Sequence, residues 1–577
     1  MRFSATRLAL LFIFCTQVIH AISIDREAFT FTKYDLNVQV DPEQQRFGVR
    51  GHVTLRNDSQ VPQKVAVLQI SSSLDWRSIK AGDKPVQFVS QPYTSDIDHT
   101  GALSEAIVSL PTAIPPKGTV DLEIAYEGVI VLDATRLTRI GTPEAAAASS
   151  DWDQISTKFT AVRGAGYVAW YPIATEVANL SVGSTLFEVL GRWKARETGS
   201  SMEATFGSPA ISADATSSTF LCGGTALRIL GRTGPAKPFS HQCSYQPMGL
   251  SVPAFVIANY EIVGRPAITV YNLPEHAASA QIYANAAEGI SPFIADWFGA
   301  RRTEAETADM GEADAAPFES GSLLLTPLTS DAKLAGLIAT HQLTHASFSS
   351  PRPWINEGLA HFAQALYLEQ QKGRQAALEY MGLHRSAFSN VEQPTTAPRS
   401  EDELKRALVS TSSEELYRSK AMYVWWMLRD MIGEAALKKA IAAYRPEQDN
   451  EASYMPRLIA AQSQRDLQWF CDDWVYHDRG LPDFKVESVF PRKNANGSFI
   501  YTITVLNLGA AGAEVPLTVK FAGGEVTKRL EVRGKSRAVI RVDVPLTAQE
   551  IVVNDGSVPE SDLANNRFKV ETNTTAK

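Results

Sequence analysis

The apolar residues of this chain change period twice, and those two changes constrain its fold more than any other feature. From Phe29 to about Val263, segments such as "YDLNVQVD", "FGVRGHVTLRN", "KVAVLQIS" and "TVDLEIAYEGVIVL" alternate apolar and polar residues. That is the period of two that lets a strand bury one face. After "AITVYNLPEH" the period lengthens to three or four, and "AASAQIYANAAEGISPFIADWFG", "DAKLAGLIATHQLTHASF", "NEGLAHFAQALYLEQQ", "SEDELKRALV", "SKAMYVWWMLRDMIGEAALKKAIAAY" and "QRDLQWFCDDWVY" read as helices. Past "DRGLPDF" the strand period returns in "SFIYTITVLN", "VPLTVKFA", "VTKRLEVR" and "RAVIRVDVP". The pattern predicts a multidomain α+β chain. An N-terminal β domain spans 22–263, a mainly helical domain with little strand spans 264–482, and a C-terminal Ig-like β-sandwich spans 483–577.

A length of 577 residues suits three or four such units. The net charge of −8 is mild and not gathered into blocks, which argues against nucleic acid or an anionic membrane as a partner. Arg2 and Arg7 followed by the apolar run Leu8–Ile19 read as a secretory signal over 1–21, cut after Ala21. No other stretch approaches a membrane span, so the expected location is secreted, periplasmic or cell-envelope. In such a compartment Cys222 and Cys243 could be bridged, or they could be buried thiols. The turn-rich "NDGSVPESDLANNRF" carries carboxylates that could hold calcium or simply form a solvated loop.

The chemistry is concentrated in "HQLTHASFSSPRPWINEGLAHF", His341 to Phe362. Two histidines four residues apart face one side of a helix, in a stripe with Leu334, Ile338 and Phe348 that the spacing places inward. A proline-punctuated turn follows, and Glu357 lies near the start of the next helix, able to point back. His341, His345 and Glu357 with a fourth position open are the donor set of a catalytic zinc site, Zn2+ being the expected ion. His361, one turn beyond Glu357, could orient that carboxylate, approach the metal, or serve as an ordinary packed histidine.

These motifs resemble the aminopeptidase N-like gluzincins, a family of zinc metallopeptidases. There, H-E-x-x-H supplies two zinc ligands and a later N-E-G the third, places taken here by His341, His345 and Glu357. The resemblance implies further roles. "APFES" stands where the family has G-A-M-E-N, so Glu319 occupies the position that holds a substrate's free amino terminus. "LYRSKAMYVWWMLRDMIG" is similar to the helix that carries the oxyanion tyrosine, a role that falls on Tyr417 after a one-residue shift. Gapless counting lands on Arg418 instead. The resemblance also implies the order β domain, helical zincin-like catalytic domain, β-sandwich, and a peptide or protein as substrate. The turn between the second histidine and Glu357 is shorter than the family's, and Pro317 falls inside the expected exopeptidase strand.

The main departure is Gln342, which stands at the general-base position. Glutamate there takes a proton from the attacking water and delivers it to the leaving amine, and an amide has no basic site for it. Two functions follow: a metallopeptidase of aminopeptidase type whose hydrolysis is impaired, or a catalytically inactive pseudopeptidase that binds peptides or proteins. A structural cell-surface protein without a metal is a third.

Overall fold

The computed structural model describes residues 24–181, 185–208, 218–223, 225–229, 239–301, 305–312, 314–389, 407–411, 413 and 415–570. The apolar leader over 1–21 and most of the helix read at Ser400–Val409 lie outside the described residues.

The three-part order holds. In strand Phe29–Asp41, Tyr34, Leu36, Val38 and Val40 are buried while Asp35, Asn37 and Gln39 are exposed, as the alternation requires. That strand lies inside a seven-stranded sheet, between Ser201–Ser208 and Arg46–Asn57. Three- and four-stranded sheets complete the β domain. A disulfide joins Cys222, in the four-stranded sheet, to Cys243, in the seven-stranded one. Of the two options left open by the sequence, the bridge is the one observed.

The middle region is mainly helical but holds more strand than its apolar period suggests. Five short strands form a sheet in the order Glu261–Arg265, Ile268–Asn272, Ala305–Asp309, Leu323–Thr326 and Phe318–Ser320. Strands of three to five residues are too short to establish a period-two signal. Helices Ala277–Phe298, Ala332–Ser347, Pro353–Lys372 and Ala421–Ile432 follow, around a core rich in tryptophan. Gly358 is required where two of them cross. A Cβ there would stand 2.7 Å from Ala421 Cβ and 2.9 Å from Trp425 Nε1, closer than packed atoms tolerate.

The C-terminal unit packs a three-stranded sheet (Phe484–Lys493, Phe499–Asn507, Arg537–Val544) against a four-stranded one. In its turn-rich loop, buried Glu560 accepts hydrogen bonds from the amides of Asn554 and Asn566 and from Phe484 N–H. These satisfy the carboxylate from within the chain, and no calcium-type cluster forms there among the described residues. No described helix is long and apolar enough to cross a membrane.

Candidate metal centre

Asp331 caps the histidine helix: its Oδ1 accepts from the N–H groups of Lys333 at 2.8 Å and Leu334 at 3.2 Å. The helix turns a small-residue face to the core, burying Ala335, Gly336, Ala339, Thr340, Leu343 and Thr344. The stripe read as inward-facing is so only in part: Phe348 is buried in the core and Ile338 packs against it. Leu334 is 46% exposed, and Ile338, His341 and His345 line a cleft of about 540 Å³. Small side chains allow close approach on their side, as at Gly336 against Tyr367, which leaves the bulkier stripe to border the open space.

The glutamate helix begins at Pro353, a residue suited to the first helical position. The short turn before it is tied down by Ser350 N–H to Asn356 Oδ1 (3.0 Å) and by Arg352 to Asp449 (2.6 Å). Its shortness does not keep Glu357 from the histidines. The Nε2 atoms of His341 and His345 stand 3.1 Å apart, and Glu357 places Oε1 3.4 Å from His345 Nε2 and Oε2 3.8 Å from His341 Nε2. Donors sharing one tetrahedral zinc at about 2.0–2.1 Å stand about 3.3 Å from one another, so the three fit such an ion.

The electrostatics agree. Burial, with His345 and His361 nearby, holds the His341 imidazole well below its usual pKa, neutral and with a lone pair to give. Burial alone would raise Glu357, yet His345, Arg418 and His341 hold it well below the usual carboxylate range. Glu357 Oε2 is buried and accepts no hydrogen bond; Arg418 Nε stands 3.3 Å away as an ionic neighbour. An ionised, buried oxygen without a donor suits a cation. For His345 to give its Nε2 lone pair, the ring proton must sit on Nδ1. Asn356 Nδ2 lies 3.1 Å from Nδ1; a half-turn of that amide would offer its oxygen to Nδ1 but would give up the hydrogen bond from Ser350 N–H.

His361 lies one turn after Glu357, its ring 5.0 Å from that of His341. It is not in the group of donors that lie within 4.8 Å of one another. Burial pushes its pKa down to about 3. A second group, Cys222, His241 and Cys243, meets the distance criterion, but the disulfide leaves no thiolate there to ligate a metal.

Gln342 is buried at the floor of the cleft. Its Oε1 accepts from Tyr283 Oη and Thr326 Oγ1, both at 2.8 Å, and its Nε2 donates to Leu325 O at 3.3 Å. Glu319 projects from strand Phe318–Ser320, which the β domain clamps through Trp152 Nε1 to Ala316 O (3.1 Å) and Ser320 Oγ to Val252 O (2.6 Å). Pro317 precedes this strand, so its missing N–H does not interrupt the ladder. Glu319 Oε1 is buried and accepts no hydrogen bond; burial raises its pKa, with His345 opposing and Glu357 reinforcing the shift.

Tyr417 and Arg418 both line the cleft. They sit in a π-helical turn, Glu415–Lys420, that runs into the helix Ala421–Ile432. The wider turn takes one more residue than an α-helical turn.

Sequence reasoning missed four contributors: Tyr283 and Thr326 beneath Gln342, Arg418 beside Glu357, and the β-domain helix Thr185–Arg196, which lines the cleft with Phe187, Leu190 and Lys194. The signal for the last was an amphipathic run, "TLFEVLGRWKAR", inside a region otherwise read as strands.

No family model and no curated protein matches the chain. Solved structures do. Legionella pneumophila aminopeptidase A in complex with aspartic acid superposes over 92% of this chain and 59% of its own, at a TM-score of 0.61 and 12% identity. A two-domain M1 zinc metallopeptidase variant bound to L-tryptophan covers 79% of this chain and 96% of its own, at a TM-score of 0.50 and 15% identity. The fold is that of the M1 zinc metallopeptidases. The chain spans 59% of the length of the Legionella enzyme. Within this M1-type fold, the His341, His345 and Glu357 cluster lies in the cleft between the β domain and the helical domain.

Proposed function

We propose that this chain is an exported zinc-binding protein of aminopeptidase type that grips peptides by a free amino terminus and hydrolyses them slowly, because residue 342 is a glutamine. The observation that carries the reading is the pair of hydroxyls on Gln342 Oε1. An amide oxygen has two lone pairs, and both are engaged, so neither is left for a water. General acid–base help is worth about two to four orders of magnitude in rate, and the reading assigns that loss to this position.

His341, His345 and Glu357 would hold the zinc, which supplies Lewis-acid polarisation and makes a bound water more acidic. The remaining roles belong to the chain. Glu319, buried and without a donor on Oε1, takes the substrate ammonium group. Tyr417, on the cleft wall, offers its hydroxyl to the developing oxyanion. Metal analysis and peptide hydrolysis on one purified sample test the reading. One zinc per chain with slow, chelator-sensitive cleavage is expected; rapid cleavage, or none of the metal, overturns it. Zinc with no cleavage of any peptide supports the second reading, a pseudopeptidase that binds peptides, which the saturated amide also favours.

Two further results are expected. Acetylating the peptide amine, or replacing Glu319→Gln, should weaken binding about tenfold or more, the value of a hydrogen bond to a charged group. Equal affinity for blocked and free peptides would remove Glu319 from this role. The exported chain should begin at Ile22, and Edman sequencing that returns Met1 would contradict export by a cleaved leader.

A further inference from the structure

We propose that Lys194 selects substrates that carry a carboxylate near the anchored amine, so that the cleft takes acidic peptides. The inference rests on the peptide-binding reading above and adds a specificity to it. Helix Thr185–Arg196 belongs to the β domain and buries Leu186, Val189 and Trp193 there. The opposite stripe, Phe187, Leu190, Gly191 and Lys194 at helical spacing, lines the cleft. It is apolar until its last position. Phe187 meets Tyr417 edge-on, with ring centroids 5.7 Å apart, so this stripe closes the cleft directly opposite the helical domain.

The charges in the cleft are unevenly matched. Its lining holds two carboxylates, Glu319 and Glu357, and two cationic side chains, Arg418 and Lys194. Arg418 stands beside Glu357. Lys194 senses both carboxylates across the cleft, and its burial opposes their pull. Yet neither carboxylate forms an ion pair with it among the described residues. A half-buried amine held without a counter-ion costs stability. A ligand anion would offset that cost, and such complementarity supplies selectivity. The apolar positions preceding Lys194 suit the methylenes of an acidic side chain, and the amine suits its end. The same carboxylate chemistry could come from the C-terminus of a dipeptide.

Calorimetry on the zinc-loaded full chain separates these sources. The probes are Glu-Ala-Ala amide against Gln-Ala-Ala amide, and Ala-Ala as free acid against its amide. Wild type should prefer the charged member of at least one pair by about tenfold or more. A preference within the first pair assigns the carboxylate to a side chain; a preference confined to the second assigns it to a dipeptide C-terminus. Lys194→Met should abolish the preference while leaving affinity for the uncharged member unchanged, and Lys194→Arg should retain it. Equal binding within both pairs, or a preference that survives Lys194→Met, overturns the assignment. If wild type binds none of the four, the peptide-binding reading itself fails and this inference with it.

Discussion

Gln342→Glu is expected to raise hydrolysis of an unblocked peptide by about two to four orders of magnitude, with zinc content unchanged. Glutamate has nearly the shape of glutamine, so one carboxylate oxygen can keep the hydroxyls of Tyr283 and Thr326. The other replaces the N–H that donates to Leu325 O. Two oxygens then face each other, and the Glu319 carboxyl is a further neighbour that the Gln342 amide now stabilises. Losing the hydrogen bond to Leu325 O costs about 0.5–1.5 kcal/mol. The repulsion is relieved when the new carboxylate turns into the cleft, where a base is needed. The variant should therefore be faster and less stable at once, read by turnover and by a denaturant midpoint on the same preparation. A loss of stability with no gain in rate would mean that another part of the site is also inactive. If wild type already turns over quickly and the substitution adds nothing, another base operates, and Glu319 is the first carboxyl to test.

Removing one ligand should abolish tight zinc binding. Glu357→Ala leaves two imidazoles, short of the three protein ligands of a catalytic zinc. It also removes the carboxylate that stands 3.3 Å from Arg418 Nε, so part of any change in stability will be unrelated to metal. The discriminating measurement is therefore the zinc-dependent increment in stability rather than stability itself. A ligand present at a thousand times its dissociation constant stabilises the native state by about 4 kcal/mol. Wild type should show such an increment and Glu357→Ala none, and His345→Ala should match it. Retention of one tightly held zinc in Glu357→Ala would place the third donor elsewhere. His361, whose ring lies 5.0 Å from that of His341, is the nearest imidazole outside the triad.

The helix pair that carries the candidate metal site was legible because its signals are local. Four-residue spacing puts His341 and His345 on one side of one helix, and Pro353 starts the next helix so that Glu357 falls in its early turns. Which way the histidine stripe points was not legible. Phe348 is buried as the spacing suggests, but Leu334 is exposed and Ile338, His341 and His345 border the cleft, because the small residues opposite pack more closely. The π-helical turn that carries Tyr417 and Arg418 was not legible either, being a backbone choice that no residue type announces.

The sequence by itself determined the order of domains and pointed to the candidate donor set, since strand period, helix period and histidine spacing are all written within a few residues of one another. Only the tertiary structure decided how those donors can be used. Gln342 is held by a tyrosine 59 residues away and a threonine 16 residues away. Glu319 is fixed by a strand clamped to the β domain through Trp152, 164 residues from its partner Ala316. One of the two cationic side chains lining the cleft, Lys194, comes from a helix of that same domain. Hydrogen-bond partners and cleft walls are matters of distance in space, and a hydrophobic period records only which side of an element is turned away from water.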